Sequence, residues 1–304
     1  MLKRQLGSTG LEVSVVGFGA MTIGGAFGSV DDAESLQALH AAIDAGMNFI
    51  DTSNAYGEGR SESLIGEFLK SRADARDILI FSKGGNNMVT RVRNFSPDYI
   101  SECLEGSLSR LGVDTIDLYM LHNPSVDNMS AEDSYAVLDK AKADGKIRHW
   151  GVSVNSAAEC DFACLQGRVA GFQMEYNILN QSAAAAFDNA AKAGLAVISR
   201  VPLNRGFLSG RFSPEATFSD DDTRKRSLTP EYLASHAQKL QALRVIADEA
   251  GISVAELAVR FCASNPAASC VIPGVRTVAQ AHANAGAGAP LSDDVLAAVQ
   301  AAVA

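Results

Sequence analysis

Short apolar runs rich in β-branched residues alternate along this chain with longer stretches whose apolar positions recur every three or four residues. The short runs predict strands at residues 13–20, 48–51, 78–83, 116–122, 147–153, 171–176, 195–201 and 269–273. The longer ones predict helices at 32–45, 61–72, 97–111, 131–143, 157–166 and 183–193. The punctuation agrees. Asp31 or Asp32 can cap the first helix and Gly46 ends it, while Pro97 opens the third and Gly112 closes it. Gly145 and Gly194 terminate two more. Eight strands alternating with helices argue for a parallel sheet.

An open doubly wound sheet and a closed barrel both satisfy that pattern. After the first strand the chain reads Gly17-Phe18-Gly19-Ala20-Met21-Thr22-Ile23-Gly24, which breaks the dinucleotide fingerprint G-x-G-x-x-G at Thr22. No phosphate-binding GxxxxGK[ST] occurs either. Eight is also the number of strands that closes with a filled interior. The predicted fold is therefore α/β, a closed (β/α)8 TIM barrel, with an N-terminal β-hairpin at residues 1–11 and extra helices near the C-terminus. Gly7 to Gly10 would turn the hairpin, which would cover the N-terminal end of the barrel. Residues 202–230 form a link too long for a routine connection, and they carry Asp220-Asp221-Asp222 and Arg224-Lys225-Arg226. A functional cover over the barrel and a solvated charged loop both fit this segment.

The chain has 304 residues. That exceeds the usual single domain, yet βα-barrels run to about 250 residues or more as one unit, so residues 1–304 are expected to form one domain. Apolar residues make up 47% of the chain, which excludes a disordered or collagen-like protein. The net charge of −9 has the wrong sign for binding nucleic acid or an anionic membrane. No apolar run could span a bilayer and the start lacks a signal-peptide core, so a cytoplasmic location is expected. Cys103, Cys160, Cys164, Cys262 and Cys270 are odd in number and contain no CxxC. They read as free buried thiols rather than disulfides or metal ligands, and no metal is expected.

In such a barrel, chemistry sits where strands end. The second strand runs out into Asp51-Thr52-Ser53-Asn54-Ala55-Tyr56-Gly57, the third ends on Lys83 and the fourth on His122. Parallel neighbours would bring Asp51, Tyr56, Lys83 and His122 to one rim. A Lys at the rim needs a carboxylate partner, and Asp51 is the obvious one. The cation should then lower the Tyr56 pKa from its ordinary value of about 10, and His122 could orient a carbonyl oxygen. Together the four suit reversible protonation of a carbonyl, with the missing nucleophile supplied as hydride by a bound cofactor. Any one of them alone is as readily structural. Their joint placement on consecutive strands is the signal.

Asp51-Thr-Ser-Asn-Ala-Tyr56-Gly57-x-Gly59-x-Ser61-Glu62, followed by Lys83 and Asp117-Leu-Tyr-Met-Leu-His122, resembles the aldo-keto reductase family. The similarity extends from Gly17-Phe18-Gly19 to Ile272-Pro273-Gly274. It implies a (β/α)8 barrel that binds NADP(H) in extended form and reduces aldehydes or ketones to alcohols. The family's catalytic tetrad maps onto Asp51, Tyr56, Lys83 and His122, with Tyr56 the general acid in reduction and the base in oxidation. Ser153 and Gln173 match residues that bond the nicotinamide amide. Asn155 is one place removed from the usual Asn, and Arg200 stands where many members stack an aromatic ring. Pro202, Leu203, Arg205, Gly206, Leu208, Gly210 and Arg211 match the loop that holds the pyrophosphate, through backbone N–H groups and a basic residue. Gly19 and Met21 join the cofactor contacts at the first strand's end. Gly274, Arg276, Gln280 and Asn284 match the adenosine site. Gly274 and Gln280 replace the usual Lys and Arg, which leaves Arg276 as the nearby cation for a 2′-phosphate.

The implied reading is an NADPH-dependent reductase of small aldehydes, ketones or sugars, with NADH also possible. Its partner is a small-molecule carbonyl substrate. The alternatives are an NAD(P)-dependent aldose or alcohol dehydrogenase on the same site, and a non-catalytic cofactor-sensing subunit similar to potassium-channel β-subunits. Substrate choice is expected from residues 24–30, 85–95, 123–129 and 207–229. Phe27, Met88 and Trp150 could line an apolar pocket, and each is equally well explained by packing.

Overall fold

The computed structural model describes residues 1–87, 90–131, 133–213 and 215–304. An antiparallel hairpin of β1 (Lys3–Gln5) and β2 (Glu12–Ser14) comes first. Eight parallel strands then form the barrel: β3 (Phe18–Gly19), β4 (Phe49–Asp51), β5 (Leu79–Gly84), β6 (Ile116–His122), β7 (Ile147–Ser153), β8 (Gly171–Glu175), β9 (Ala196–Arg200) and β10 (Cys270–Ile272). Each pairs with the next in chain order. The ring closes where Gly17 N–H donates to Val271 O (2.9 Å) and Gly19 N–H to Pro273 O (3.0 Å). A Cβ on Gly19 would lie 2.6 Å from Pro273 O, so glycine is what lets the closing strands approach.

The barrel helices are α1 (Asp32–Asp44), α2 (Arg60–Lys70), α3 (Pro97–Leu111), α4 (Val126–Ser130), α5 (Asp133–Ala143), α6 (Ala157–Gln166) and α7 (Ala184–Lys192). They are followed by α8 (Pro230–Glu249), α9 (Val254–Ser264), α10 (Val278–Gly286) and α11 (Asp293–Val303). Asp31 caps α1 through the N–H of Glu34, and Gly112 ends α3 in the left-handed conformation. α10 packs on α1 and α11 on α8, so the C-terminal helices complete the outer layer.

The expected first strand at 13–20 is two elements. Val13 and Ser14 belong to β2, which carries the hairpin to residue 14 rather than 11, and only Phe18–Gly19 join the barrel. Val13, Val15, Val16 and Phe18 are all fully buried, so no alternation in the sequence marks the break. The expected helix at 131–143 is preceded by a separate short helix, α4, capped by Ser125 and Asn128 in reciprocal bonds. Residues 202–230 contain two 3-10 turns, Asn204–Ser209 and Thr223–Arg226.

Candidate active site

Side chains two apart on a strand share a face, and here that rule sorts the barrel interior into layers. The lower layers hold Phe49, Phe81, Leu118, Met120, Ala196, Ile198 and Cys270 in one apolar cluster, joined from below by Leu6 and Val13 of the hairpin. Stepping up the same faces reaches Asp51, Lys83, His122, Ser153, Gln173 and Arg200. The top layer is therefore polar on six consecutive strands. Trp150 has the opposite parity on β7 and lies against Tyr135 of α5, with its indole N–H bonded to Asp139 (2.8 Å). It packs outside the barrel and lines no pocket at the mouth. Met88 lies outside the described residues.

Lys83 Nζ is fully buried and spends its three protons on Asp51 Oδ1 (2.6 Å), Thr52 O (2.8 Å) and Tyr56 OH (3.4 Å). The other Asp51 oxygen accepts from Gln173 Nε2 at 2.7 Å, so both ends of the buried carboxylate are bonded. Burial, the largest influence on Lys83, pulls its pKa down, but Asp51 and Tyr56 together more than reverse it and the pKa is raised. The ammonium stays charged.

Tyr56 differs from the sequence-based expectation. Burial drives the phenol's pKa up, and the opposing attraction of Lys83 does not compensate, so it lies above rather than below its ordinary value. The expectation counted the neighbouring cation but not the depth of the ring, which is only 8% exposed. Tyr56 is held from behind by the loop after β3. A Cβ on Gly24 would meet Tyr56 Cβ at 2.8 Å, which explains a glycine there in a chain without the dinucleotide fingerprint.

His122 lies edge-on to Tyr56, ring centroids 5.9 Å apart. Its Nδ1 is 3.0 Å from Ser53 Oγ. Burial first, then the charges of Lys83, Arg200 and Arg93, push its pKa well below the usual histidine range, so the ring is neutral.

The residues expected to hold a cofactor fall into three groups. Ser153 Oγ and Gln173 Oε1 lie 3.5 Å apart beside Asp51. Arg200 reaches back with Nη2 to Val154 O (2.9 Å) and Asn155 Oδ1 (2.8 Å), which gives the displaced Asn155 a role in fixing that guanidinium. Arg200 Nε is buried with no partner among the described residues. In the second group, Val201, Asn204 and Arg205 all have positive φ, so the chain turns sharply after Arg200. The N–H groups of Gly206, Leu208 and Gly210 donate within this turn, to Leu203 O, Leu203 O and Phe207 O. Pro202 and Leu208 are buried. What the turn offers outward is cationic: Arg205, paired with Glu175 at 2.9 Å, and Arg211 at the edge of a cavity of about 350 Å³. In the third group, Gln280 Oε1 accepts from Arg276 N–H (2.8 Å) and Asn284 Nδ2 donates to Gly274 O (3.3 Å). Arg276 extends to the carbonyls of Phe27 and Ser29, near the loop that carries the half-buried Met21.

One segment whose role the sequence leaves open takes a definite place, and one further feature escaped the sequence reading. The segment 202–230 is tied to the loop after β3: Thr223 N–H and Oγ both donate to Ala26 O, at 3.1 and 2.8 Å. Beside this contact the Arg224 guanidinium lies about 5 Å from the Phe27, Phe212 and Phe218 rings and pairs with Asp222. The acidic and basic triplets thus split, with Asp222 and Arg224 turned inward and Asp220 and Lys225 paired in solvent. The further feature is fully buried Glu62, which bonds Ser82 Oγ (2.5 Å) and the Arg110 guanidinium (2.8 Å) behind β5. The family motif in the sequence contains Glu62, but nothing local there points to Ser82 or Arg110 as its partners.

A sequence profile described as the Aldo/keto reductase family matches residues 15–304. The chain belongs to the aldo/keto reductase family. The aldo-keto reductase YhdN of Bacillus subtilis (strain 168) is 32% identical, covering 91% of this chain and 86% of that one. A probable voltage-gated potassium channel subunit beta of Arabidopsis thaliana is 31% identical, covering 93% and 90%. The structure of the glycerol dehydrogenase AKR11B4 of Gluconobacter oxydans superposes with a TM-score of 0.85 at 28% identity, over 99% of this chain and 94% of that one. As an aldo/keto reductase the protein is an NAD(P)H-dependent oxidoreductase, and its family acts on small carbonyl substrates through a nicotinamide cofactor. No described helix is long and apolar enough to cross a membrane, no described cluster of His, Cys, Asp and Glu could hold a metal ion, and the five cysteines are free.

Proposed function

We propose that this aldo/keto reductase reduces a small aldehyde, ketone or sugar carbonyl to the alcohol with NADPH, using Tyr56 as the general acid. The supporting observation is the Lys83 ammonium, saturated between Asp51 and the Tyr56 hydroxyl in the polar top layer. When bound, the nicotinamide supplies the hydride. The raised Tyr56 pKa keeps the phenol protonated at neutral pH, which is the form reduction requires. As the phenol gives its proton to the carbonyl oxygen, Lys83 meets the growing phenolate charge at once. Neutral His122 directs the carbonyl oxygen toward Tyr56.

The donors around this point suit a nicotinamide carboxamide. Ser153 and Gln173 would bond its amide, and Arg200 Nε, without a partner among the described residues, is a buried donor still to be satisfied. Asp51 would keep Lys83 in place. Arg205 and Arg211 would meet the pyrophosphate with Pro202, Leu203, Gly206, Leu208 and Gly210 shaping the turn, and Gly19 and Met21 would flank it. Arg276 would take the 2′-phosphate, with Gly274, Gln280 and Asn284 around the adenosine. Residues 1–304 would act as one domain, with 202–230 as the cover, and the free thiols suit a reducing cytoplasm.

The glycerol dehydrogenase likeness favours a second reading, alcohol oxidation on the same site with Tyr56 as the base. Following the absorbance of the reduced nicotinamide with both cofactors, across carbonyls and the corresponding alcohols, tests both readings. Turnover in neither direction, with the cofactor bound, would leave the channel-subunit likeness as the better guide.

A further inference from the structure

Ser53 follows Thr52 in the turn between β4 and Tyr56, is fully buried, and lies against His122. We propose that Ser53 is a positioning residue that holds His122 as the tautomer with its proton on Nε2, the nitrogen left to meet the substrate's carbonyl oxygen. This rests on the reductase reading above.

A serine hydroxyl has one proton to donate and two lone pairs. The Ala55 N–H donates to Ser53 Oγ at 3.2 Å, occupying one lone pair. Three acceptors surround the proton: His122 Nδ1 at 3.0 Å, Lys83 O at 3.3 Å and Asn54 Oδ1 at 3.4 Å. His122 is nearest, and Lys83 O already receives the Asn54 N–H at 3.2 Å. Donation to Nδ1 uses the shortest of the three contacts, and with it the imidazole proton sits on Nε2. The reverse arrangement would put the proton on Nδ1 and turn a bare Nε2 lone pair toward an oxygen lone pair. The choice matters only for a neutral ring, since imidazolium donates from both nitrogens. Burial and the facing cations Lys83, Arg200 and Arg93 keep the ring neutral. The edge-on Tyr56 ring, at an interplanar angle of 86°, fixes the plane in which Nε2 points.

The test begins with the wild-type protein carrying 15N-labelled histidine, the His122 signals being assigned by their loss in His122→Gln. The expected spectrum shows an unprotonated Nδ1 and a protonated Nε2. A proton on Nδ1 overturns the proposal, whatever the enzyme's activity. Ser53→Ala is expected to give a mixture of the two tautomers and to lower kcat/KM about tenfold, the scale of one lost hydrogen bond. Ser53→Thr, which keeps the hydroxyl, should restore both. In the His122→Gln background Ser53→Ala should cost nothing further, and a second tenfold loss there would show that Ser53 acts by some other route. A wild-type enzyme with the proton on Nε2 but no carbonyl turnover would sink the reductase reading while supporting the tautomer assignment.

Discussion

The two ends of the barrel interior are built from the same strand faces, two residues apart, yet they do opposite things. Below, Phe49, Phe81, Leu118 and Met120 join Leu6 of the hairpin in one buried apolar cluster. Above, the next residues on those strands are Asp51, Lys83 and His122, all less than 8% exposed. The lower end is stabilised by removing apolar surface from water, a tolerant and non-directional effect. The upper end is stabilised only while every charge keeps its partner, because a buried ion left alone costs several kcal/mol. Both ends are expected to carry stability, but only the upper one turnover.

The sharpest challenge to that division is Tyr56→Phe. It should lower carbonyl turnover about 10²–10⁴-fold, the usual range for a general acid, while cofactor binding followed by fluorescence stays intact. Near-normal turnover would remove Tyr56 from the chemistry. Next in size are two stability changes that ought to differ in kind. Lys83→Met strands Asp51 in the interior and should cost about 3–5 kcal/mol in denaturant unfolding, along with activity. Leu118→Ala should cost about 2–5 kcal/mol while the remaining folded enzyme keeps its kcat. If kcat falls as well, the two ends are mechanically coupled and the comparison fails. Arg276→Ala, at the edge of the polar end, should weaken NADPH about tenfold more than NADH, since only NADPH carries the extra phosphate. Equal losses would shift that role to another cation.

The smallest expected effect is in the pH dependence of stability. His122 stays neutral in the native protein while its unfolded counterpart takes up a proton below about pH 6.5. Stability should therefore fall as the pH drops through that value, and His122→Gln should flatten the slope. Lys83 and Tyr56 work at the other extreme. Both hold their protons in the native state above the values near 10 at which the unfolded chain loses them. Their contribution is present below pH 10 and disappears as the pH rises through the native values. For the same reason reduction should proceed evenly through neutral pH, whereas oxidation, which needs phenolate, should climb with pH.

The sequence carried the strand–helix alternation because period-two and period-3.6 burial are local properties, and it carried the clustering of Asp51, Tyr56, Lys83 and His122 because parallel neighbours bring strand ends together. It carried less where two elements were buried on every side, as in the unbroken apolar run from Val13 to Phe18. It also missed what depends on partners distant in the chain. Arg224 sits among Phe27, Phe212 and Phe218, and Glu62 meets Arg110 from 48 residues away. The direction of the Tyr56 shift was missed for a related reason: a neighbouring charge is legible in a motif, but depth of burial is not.

The closure of the ring has a consequence for how the molecule comes to be made. Gly17 pairs with Val271, and the Arg4 guanidinium holds the carbonyls of Ala263 and Ala268 from 259 and 264 residues away. A nascent chain must therefore be almost wholly synthesised before its opening residues find their neighbours. Until then the Leu6 side chain and the edges of β3 stay available to any other unfinished polypeptide. Assembly is accordingly expected to be slow and exposed to aggregation before it is complete.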